Sequence, residues 1–289
     1  MFQIRRKRIE IDEVILFVYF AIMYAHNAPY PRLFTLCTVG LFFYSLLRCA
    51  QRYRMVLVKS QYKVLAWYLL FAIYEFIISY SNGIMHQEIW INVVQNILMI
   101  FSLCCYVDSE ERYFRLIKIF AYAAFYFGMV AWLTSPVSSY GTTLFAGITK
   151  SQRNTIAYVV GIGGTIFAYF GLQEKKLKYY IFAVLCTLVT VLTGSRKGLI
   201  QLAIPIVLYV LLQENARKRT KTLVAFLFAG VVVVYICANS QIFMDTYGTR
   251  FFQMFEENSS DTSTLGRMNL AALGMEFFSQ KPIFGYGLG

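Results

Sequence analysis

Charged residues are scarce in this sequence, and histidine and proline are scarcer still. Only 15% of the 289 residues are charged, whereas 58% are hydrophobic, and there are two histidines and five prolines. A water-soluble domain of this length cannot bury so much apolar surface, so the composition predicts a membrane protein. The two histidines lack further ligands around them, and no nucleic-acid-binding signature is present. We therefore expect no metal site and no nucleic-acid partner.

The spacing of the cysteines does not indicate pairing. The six cysteines fall inside apolar runs or at their ends, and none of them forms a CxxC motif. Neither a disulfide framework nor a cysteine-bound metal is indicated.

Long apolar runs dominate the remainder. A helix needs about 20 mostly apolar residues to cross about 30 Å of hydrocarbon, and nine segments approach this length. We predict an all-α polytopic bundle of about nine transmembrane helices within residues 1–238, followed at 239–289 by the start of a large extracytoplasmic loop. The predicted spans are 11–27, 31–48, 64–84, 88–107, 116–134, 154–172, 179–194, 198–212 and 222–238.

The distribution of cations predicts the orientation of this bundle. With the N-terminus in the cytoplasm, 19 of the 27 Lys and Arg residues fall in cytoplasmic segments. Short cytoplasmic loops carry such an excess of Lys and Arg. The N-terminus is therefore predicted to be cytoplasmic, and residues 135–153, the turn near 195 and the tail from about 239 to be outside.

Arginines on the predicted outer side stand close to helix ends. VLTGSRKGLI contains Arg196 beside Lys197, and GITKSQRN contains Arg153. Arg267 follows Thr264, which is a plausible helix N-cap, so Arg267 is predicted in a first turn that attracts anions. The planar guanidinium suits phosphate, which favours an anion site. Cations that reach toward lipid phosphates or water are the alternative for these positions.

One carboxylate lies inside a predicted span. Glu75 stands near the middle of LLFAIYEFIISY. An intramembrane carboxylate is a functional hypothesis by default. The alternative is a neutral carboxyl hydrogen-bonded to Gln95 or Asn96 on the next helix.

Two stretches resemble the family of O-antigen ligases and of O-antigen and capsular-polysaccharide polymerases. They are TGSRKGLI at 193–200 and GRMNLAALGMEFFSQKPIFGYGLG at 266–289, and the likeness covers about residues 140–289. The resemblance implies a membrane-embedded, GT-C-like glycosyltransferase of the bacterial cytoplasmic membrane. Such enzymes transfer a glycan from undecaprenyl pyrophosphate on the outer face without a metal or soluble cofactor. It implies Arg196, Arg267 and Arg153 as pyrophosphate ligands, with Lys197 the weaker choice.

The leading hypothesis is a polymerase of lipid-linked repeat units, with a chain-length regulator and a flippase as expected partners. Ligation of O-antigen to lipid A-core is the sibling alternative. A peptidoglycan polymerase that uses a loop carboxylate (Asp245, Asp261 or Glu276) is another. A lipid-linked oligosaccharide flippase or transporter, with Glu75 on its path, comes from a different class. Because the family continues beyond its glycine-rich run, we expect the general base, the rest of the loop and later helices beyond residue 289.

Overall fold

The computed structural model describes 10–24, 31–52, 59–84, 86–135, 153–193, 262–283 and 285–287, together with scattered positions between 195 and 241. This described part of the chain contains helices and turns and no strand. The all-α prediction is therefore confirmed for it. The helices are α1 (Ile11–Tyr24), α2 (Pro31–Arg52), α3 (Lys59–Ser81), α4 (Gln87–Tyr106), α5 (Glu110–Thr134), α6 (Arg153–Glu174), α7 (Leu177–Leu192) and α8 (Thr262–Gln280).

Five of these helices are long and apolar enough to cross a membrane. Their apolar windows are Arg32–Cys49, Lys63–Ser81, Gln87–Tyr106, Glu110–Thr134 and Asn154–Glu174. The shorter α1 and α7 have 14 and 16 residues and fall on two further predicted spans. Most of the residues of the last two predicted spans, 198–212 and 222–238, lie outside the described residues. The total of nine therefore stays a prediction.

The chain forms two compact units, Met1–Phe34 with Phe114–Phe255 and Thr35–Tyr113 with Glu256–Gly289. In the first unit, small residues let α5, α6 and α7 approach closely. A Cβ atom on Gly163 would lie 2.9 Å from Ala124 Cβ, and one on Gly164 would lie 2.9 Å from Cys186 Cβ. Glycine allows this close approach between apolar helices in place of the packing of larger side chains.

Ion pairs join several helix ends at one end of the first unit. The pairs are Arg115 with Glu10 (3.1 Å) and Glu13 (3.2 Å), Lys176 with Glu174 (2.6 Å), and Lys118 with Glu174. The hydrogen bond to Glu174 raises the pKa of the exposed Lys176. The starts of α1, α5 and α7 therefore lie together with the end of α6. These directions agree with successive crossings, whereas the orientation relative to the cytoplasm stays a prediction.

The second unit contains α2, α3 and α4. Gln95 Nε2 donates to Thr35 Oγ1 (2.7 Å), and the rings of Phe42 and Phe101 are 5.3 Å apart, so α2 and α4 run in the same direction. Phe76 of α3 meets Trp90 at the start of α4, with ring centroids 5.1 Å apart. Because residues late in α3 meet residues early in α4, these two helices are antiparallel.

Glu75 differs from its expected surroundings. Its half-buried side chain makes no hydrogen bond to any residue that the structure describes, and Gln95 donates to Thr35 instead. The expected partner Asn96 is exposed. The alternative hydrogen bond from Glu75 to Gln95 or Asn96 is therefore absent among the described residues, where the Gln95 amide donates to the Thr35 hydroxyl of α2. A functional role for Glu75 stays a prediction.

Candidate functional site

Side chains in the turn itself hold the backbone that leads to Arg196. Thr193, the C-cap of α7, donates from Oγ1 to the Thr190 carbonyl at 2.6 Å. The same Oγ1 accepts a hydrogen bond from the Ser195 amide at 3.3 Å. Thr193 and Ser195 are both buried. The threonine hydroxyl thus satisfies backbone groups that the helix end leaves without partners.

Ser195 also links this turn to the start of α6. Its Oγ donates to Asn154 Oδ1 at 2.9 Å, across 41 positions of sequence. Asn154 follows Arg153, the first residue of α6, and Ser195 precedes Arg196. The hydrogen bond therefore brings together the backbone beside two of the three predicted arginines. The first N–H groups of a helix lack intrahelical acceptors, so the start of α6 favours an anion.

The residues after the turn pack back onto α6. A Cβ atom on Gly198 would lie 2.7 Å from Thr190 Cγ2 and 2.8 Å from Ala157 Cβ, so no larger residue fits. One helical turn later, Gln201 Nε2 donates to the Tyr158 carbonyl at 3.1 Å. Close packing against α6 and α7 therefore requires a glycine at the last position of SRKG (195–198). We call Asn154, Thr193, Ser195 and Gly198 the turn cluster.

The glycine-rich run forms a second local structure. Helix α8 ends at Gln280, two residues before Pro282. The Gly285 amide then donates to the Lys281 carbonyl at 3.1 Å. Gly285 and Gly287 have φ angles of 66° and 89°, a left-handed conformation that glycine adopts without the steric cost of a Cβ atom.

This run rests on the C-terminal end of α3. Asn82 Nδ2 donates to the Tyr286 carbonyl at 3.1 Å, and Asn82 Oδ1 accepts from Lys281 Nζ. The same ammonium lies 4.5 Å from the centroid of the Tyr286 ring, a cation–π distance. A Cβ atom on Gly287 would lie 2.6 Å from the Ser79 amide nitrogen. We call residues 281–283 and 285–287, seated on Ser79 and Asn82, the glycine hook.

The start of α8 corrects one prediction. The helix begins at Thr262, so Thr264 lies inside it and is not its N-cap. Thr262 and Ser263 form the first turn instead, a place where hydroxyl residues are well tolerated. Arg267 is consequently the sixth helical residue, beyond the free N–H groups of the first turn. The anion argument from the helix start therefore does not apply to Arg267.

The predicted ligands are described to different extents. Arg196 lies outside the described residues. For Arg153 and Arg267 the structure describes the helical backbone but not the side chain. The exposed Lys197 is helical and makes no ion pair with any other residue in the described part. Their role in binding pyrophosphate stays a prediction.

Sequence reasoning missed the residues that hold these segments. Ser195 and Asn82 are ordinary small polar residues, and their partners lie 41 and 204 positions away. The sequence offered one signal for Ser195 and Asn154, which is that each stands next to a predicted arginine ligand. Within the described ranges, no three His, Cys, Asp or Glu residues group closely enough to hold a metal.

The apolar helices and their packing define a multi-pass, α-helical membrane protein. Residues 181–289 match a family model described as O-antigen ligase. This match supports assigning the chain to the O-antigen ligase and polymerase family, whose members are glycosyltransferase-like enzymes of polysaccharide biosynthesis. The matched range includes the turn at Ser195, α8 and the glycine hook. Comparisons with curated proteins and with solved structures gave no match.

Proposed function

We propose that this protein polymerises O-antigen or capsule repeat units on the outer face of the bacterial cytoplasmic membrane. It would transfer a glycan from undecaprenyl pyrophosphate to a sugar acceptor. The observation that carries the proposal is the hydrogen bond from Ser195 to Asn154, together with the family match over residues 181–289. This bond joins the segments of Arg153 and Arg196 within one unit of the fold.

The chemistry requires stabilisation of a leaving pyrophosphate. The acceptor hydroxyl oxygen forms a bond to the anomeric carbon of the donor sugar, while the bond from that carbon to the phosphate oxygen breaks. Negative charge then develops on the lipid pyrophosphate. Arginine forks bind such oxygens with charge-assisted hydrogen bonds, and preorganised donors of this kind are often the largest catalytic contribution.

Each segment has a role in this proposal. Arg196 and Arg153 bind the pyrophosphate beside the start of α6, whose free N–H groups add positive potential. Arg267 on α8 supplies the third guanidinium, and Lys197 is a weaker fourth ligand. A general base takes the proton from the acceptor hydroxyl. We assign it to no residue of 1–289.

A ligase that transfers the glycan to lipid A-core is the second candidate, since the matched family is described as O-antigen ligase. Both reactions use the same lipid-linked donor and release the same pyrophosphate. They differ only in the acceptor, so the arginine site serves either one.

The test is the glycan that cells accumulate when one arginine is removed. Arg196→Ala and Arg267→Ala, in the protein as encoded, should stop polymer formation while single lipid-linked units collect on the outer face. Lys175→Asn is the matched control. It removes a cation at the opposite end of α6 and keeps a residue type that tolerates the φ of 52° found there.

Each alternative gives its own pattern. Units retained inside the cell would favour the flippase and contradict the proposal. Undecaprenyl-linked polymer that is made normally but fails to reach lipid A-core would favour the ligase. A normal ladder in both arginine variants would contradict the site itself.

A further inference from the structure

Helices α2 and α4 of the second unit each carry a cysteine on the face that meets the other helix. The rings of Phe42 and Phe101 lie 5.3 Å apart across this contact. Cys49 follows Phe42 by seven positions, and Cys105 follows Phe101 by four. Residues at these spacings share one face of a helix. Because α2 and α4 run in the same direction, the two cysteines continue the contact that the two rings begin.

The thiols of these cysteines meet. Cys105 makes a side-chain hydrogen bond with Cys49, and both residues are half-buried. A disulfide requires two cysteines whose Cβ atoms are near one another and point toward each other. Thiols that already touch need only rotate about their side-chain bonds to meet this requirement. Cysteines on faces that point apart would need the backbone to move.

Both cysteines lie at one end of their membrane-spanning helices. Cys49 is the last residue of the apolar window Arg32–Cys49, and Cys105 is the last but one of Gln87–Tyr106. The ends of such windows lie where the hydrocarbon meets the headgroups, so a water-soluble reagent reaches this depth. In the predicted orientation this surface is cytoplasmic, where small thiols keep cysteines reduced.

We propose that Cys49 and Cys105 form a redox-active dithiol that a low-molecular-weight disulfide, such as oxidised glutathione, converts into a disulfide between α2 and α4. This dithiol is a modification site that is separate from the arginine site. Its oxidation closes a loop that contains all of α3, the helix on which the glycine hook rests.

The reaction proceeds by two thiol–disulfide exchanges. The thiolate of one cysteine attacks a sulfur of the small disulfide, whose S–S bond breaks and releases one small thiolate. The second cysteine then attacks the mixed disulfide, forms the bond between the helices and releases the other small thiolate. Each small thiolate takes up the proton that a cysteine has lost. The protein is thus oxidised by two electrons, and the small disulfide is reduced to two thiols.

Peptide mapping under non-reducing conditions tests this assignment. The full chain is reconstituted into lipid nanodiscs, incubated with oxidised glutathione, blocked with N-ethylmaleimide and digested without a reductant. Cys49→Ser and Cys105→Ser should each abolish the link. Cys104→Ser is the matched control, because Cys104 is half-buried at the same helix end but points about 100° around the helix from Cys105.

The expected result is a linked peptide pair through Cys49 and Cys105 that persists in Cys104→Ser and is lost on incubation with excess reduced glutathione. A link through Cys104 in equal yield, a covalent dimer, glutathione adducts without a link, or no reaction would each overturn the proposal. The peptides of the unmodified protein decide between these results even if a variant fails to insert. None of them depends on glycan transfer, so the test is independent of the proposed function.

Discussion

The hydrogen bond between Ser195 and Asn154 joins two uncharged side chains at the end of a membrane helix. Ser195 is 2% exposed, so removing its acceptor leaves a buried hydroxyl without its partner. Such a loss costs about 1–3 kcal/mol. The two bonded residues are also the sequence neighbours of Arg153 and Arg196. Removing the bond should therefore displace the backbone that carries these arginines.

Asn154→Ala should therefore reduce glycan transfer by about tenfold or more, whereas Asn154→Gln keeps a neutral amide acceptor and should restore part of the activity. The double variant with Ser195→Ala should lose no more than either single variant, because both remove the same contact. Polymer yield per unit of inserted protein is the measurement.

Thr165→Ala is the control for the Asn154 series. Thr165 lies on the same helix, and among the described residues its hydroxyl donates only to the Gly161 carbonyl of that helix (3.1 Å). Additive losses in the double variant, or equal losses in Asn154→Gln and Asn154→Ala, would contradict the positioning role.

The two left-handed glycines of the hook form a natural matched pair. Alanine at either position pays the left-handed penalty of about 1–2 kcal/mol. Gly285 has open space where its Cβ would be, whereas a Cβ on Gly287 would overlap the backbone of α3 at Ser79. Gly287→Ala should therefore release the hook and make chymotryptic cleavage after Tyr286 faster than in Gly285→Ala. Equal cleavage rates would contradict the seating of the hook on α3.

At the scale of elements, close helix contacts in the first unit depend on glycines, which have no side chain to separate the helices. A Cβ atom added to Gly163 or Gly164 would lie 2.9 Å from the Cβ of a neighbouring helix, which is too close for two carbon atoms. A Cβ on Gly161 would make ordinary contacts of 3.6–3.7 Å with Gln201. The three glycines lie within a single turn of α6. They differ only in what they face.

Alanine at Gly163 or Gly164 should destabilise the protein by about 1–3 kcal/mol through overpacking. Gly161→Ala should be neutral or slightly stabilising, because alanine favours the helix more than glycine does. Thermal unfolding of the purified protein in detergent checks this order. A Gly161→Ala variant as unstable as the other two would show that helix packing is not the cause.

Element positions were largely readable from the sequence, whereas their contacts were not. The apolar runs predicted α2 to α6 to within a few residues at most ends, because the length of an apolar run is a local property that the bilayer fixes. The contact of Asn82 with Tyr286 spans 204 positions and leaves no periodic signal. The N-cap of α8 was misplaced because Thr262, Ser263 and Thr264 are all hydroxyl residues. The partner of Gln95 was missed because Thr35 lies 60 positions away on α2.

At the scale of the whole molecule, α6 separates two chemically different ends. Its C-terminus holds the ion pairs around Glu174, and its N-terminus holds the turn cluster. The 22 residues of α6 span about 33 Å, close to the thickness of the hydrocarbon core. The two ends therefore match opposite membrane surfaces, and the excess of cations predicts that the Glu174 end is cytoplasmic.

Impermeant maleimide labelling of single introduced cysteines tests that orientation. Lys197→Cys should react in intact spheroplasts, whereas Lys175→Cys should react only after permeabilisation, since both positions are exposed. The unmodified protein is the control for its own cysteines, and those in the described ranges are buried or half-buried. The reverse pattern would contradict the predicted orientation and the outer location of the turn cluster.

The central claim is that arginines beside the turn cluster and on α8 bind a lipid pyrophosphate. The most direct test is native mass spectrometry of the full chain in nanodiscs with undecaprenyl pyrophosphate, with undecaprenyl monophosphate as competitor. Each charge-assisted bond contributes about 1.5–3 kcal/mol, so Arg196→Ala and Arg267→Ala should weaken binding by about tenfold to a hundredfold. Lys175→Asn should bind as the unchanged protein does. Equal affinity in all four proteins would contradict the account.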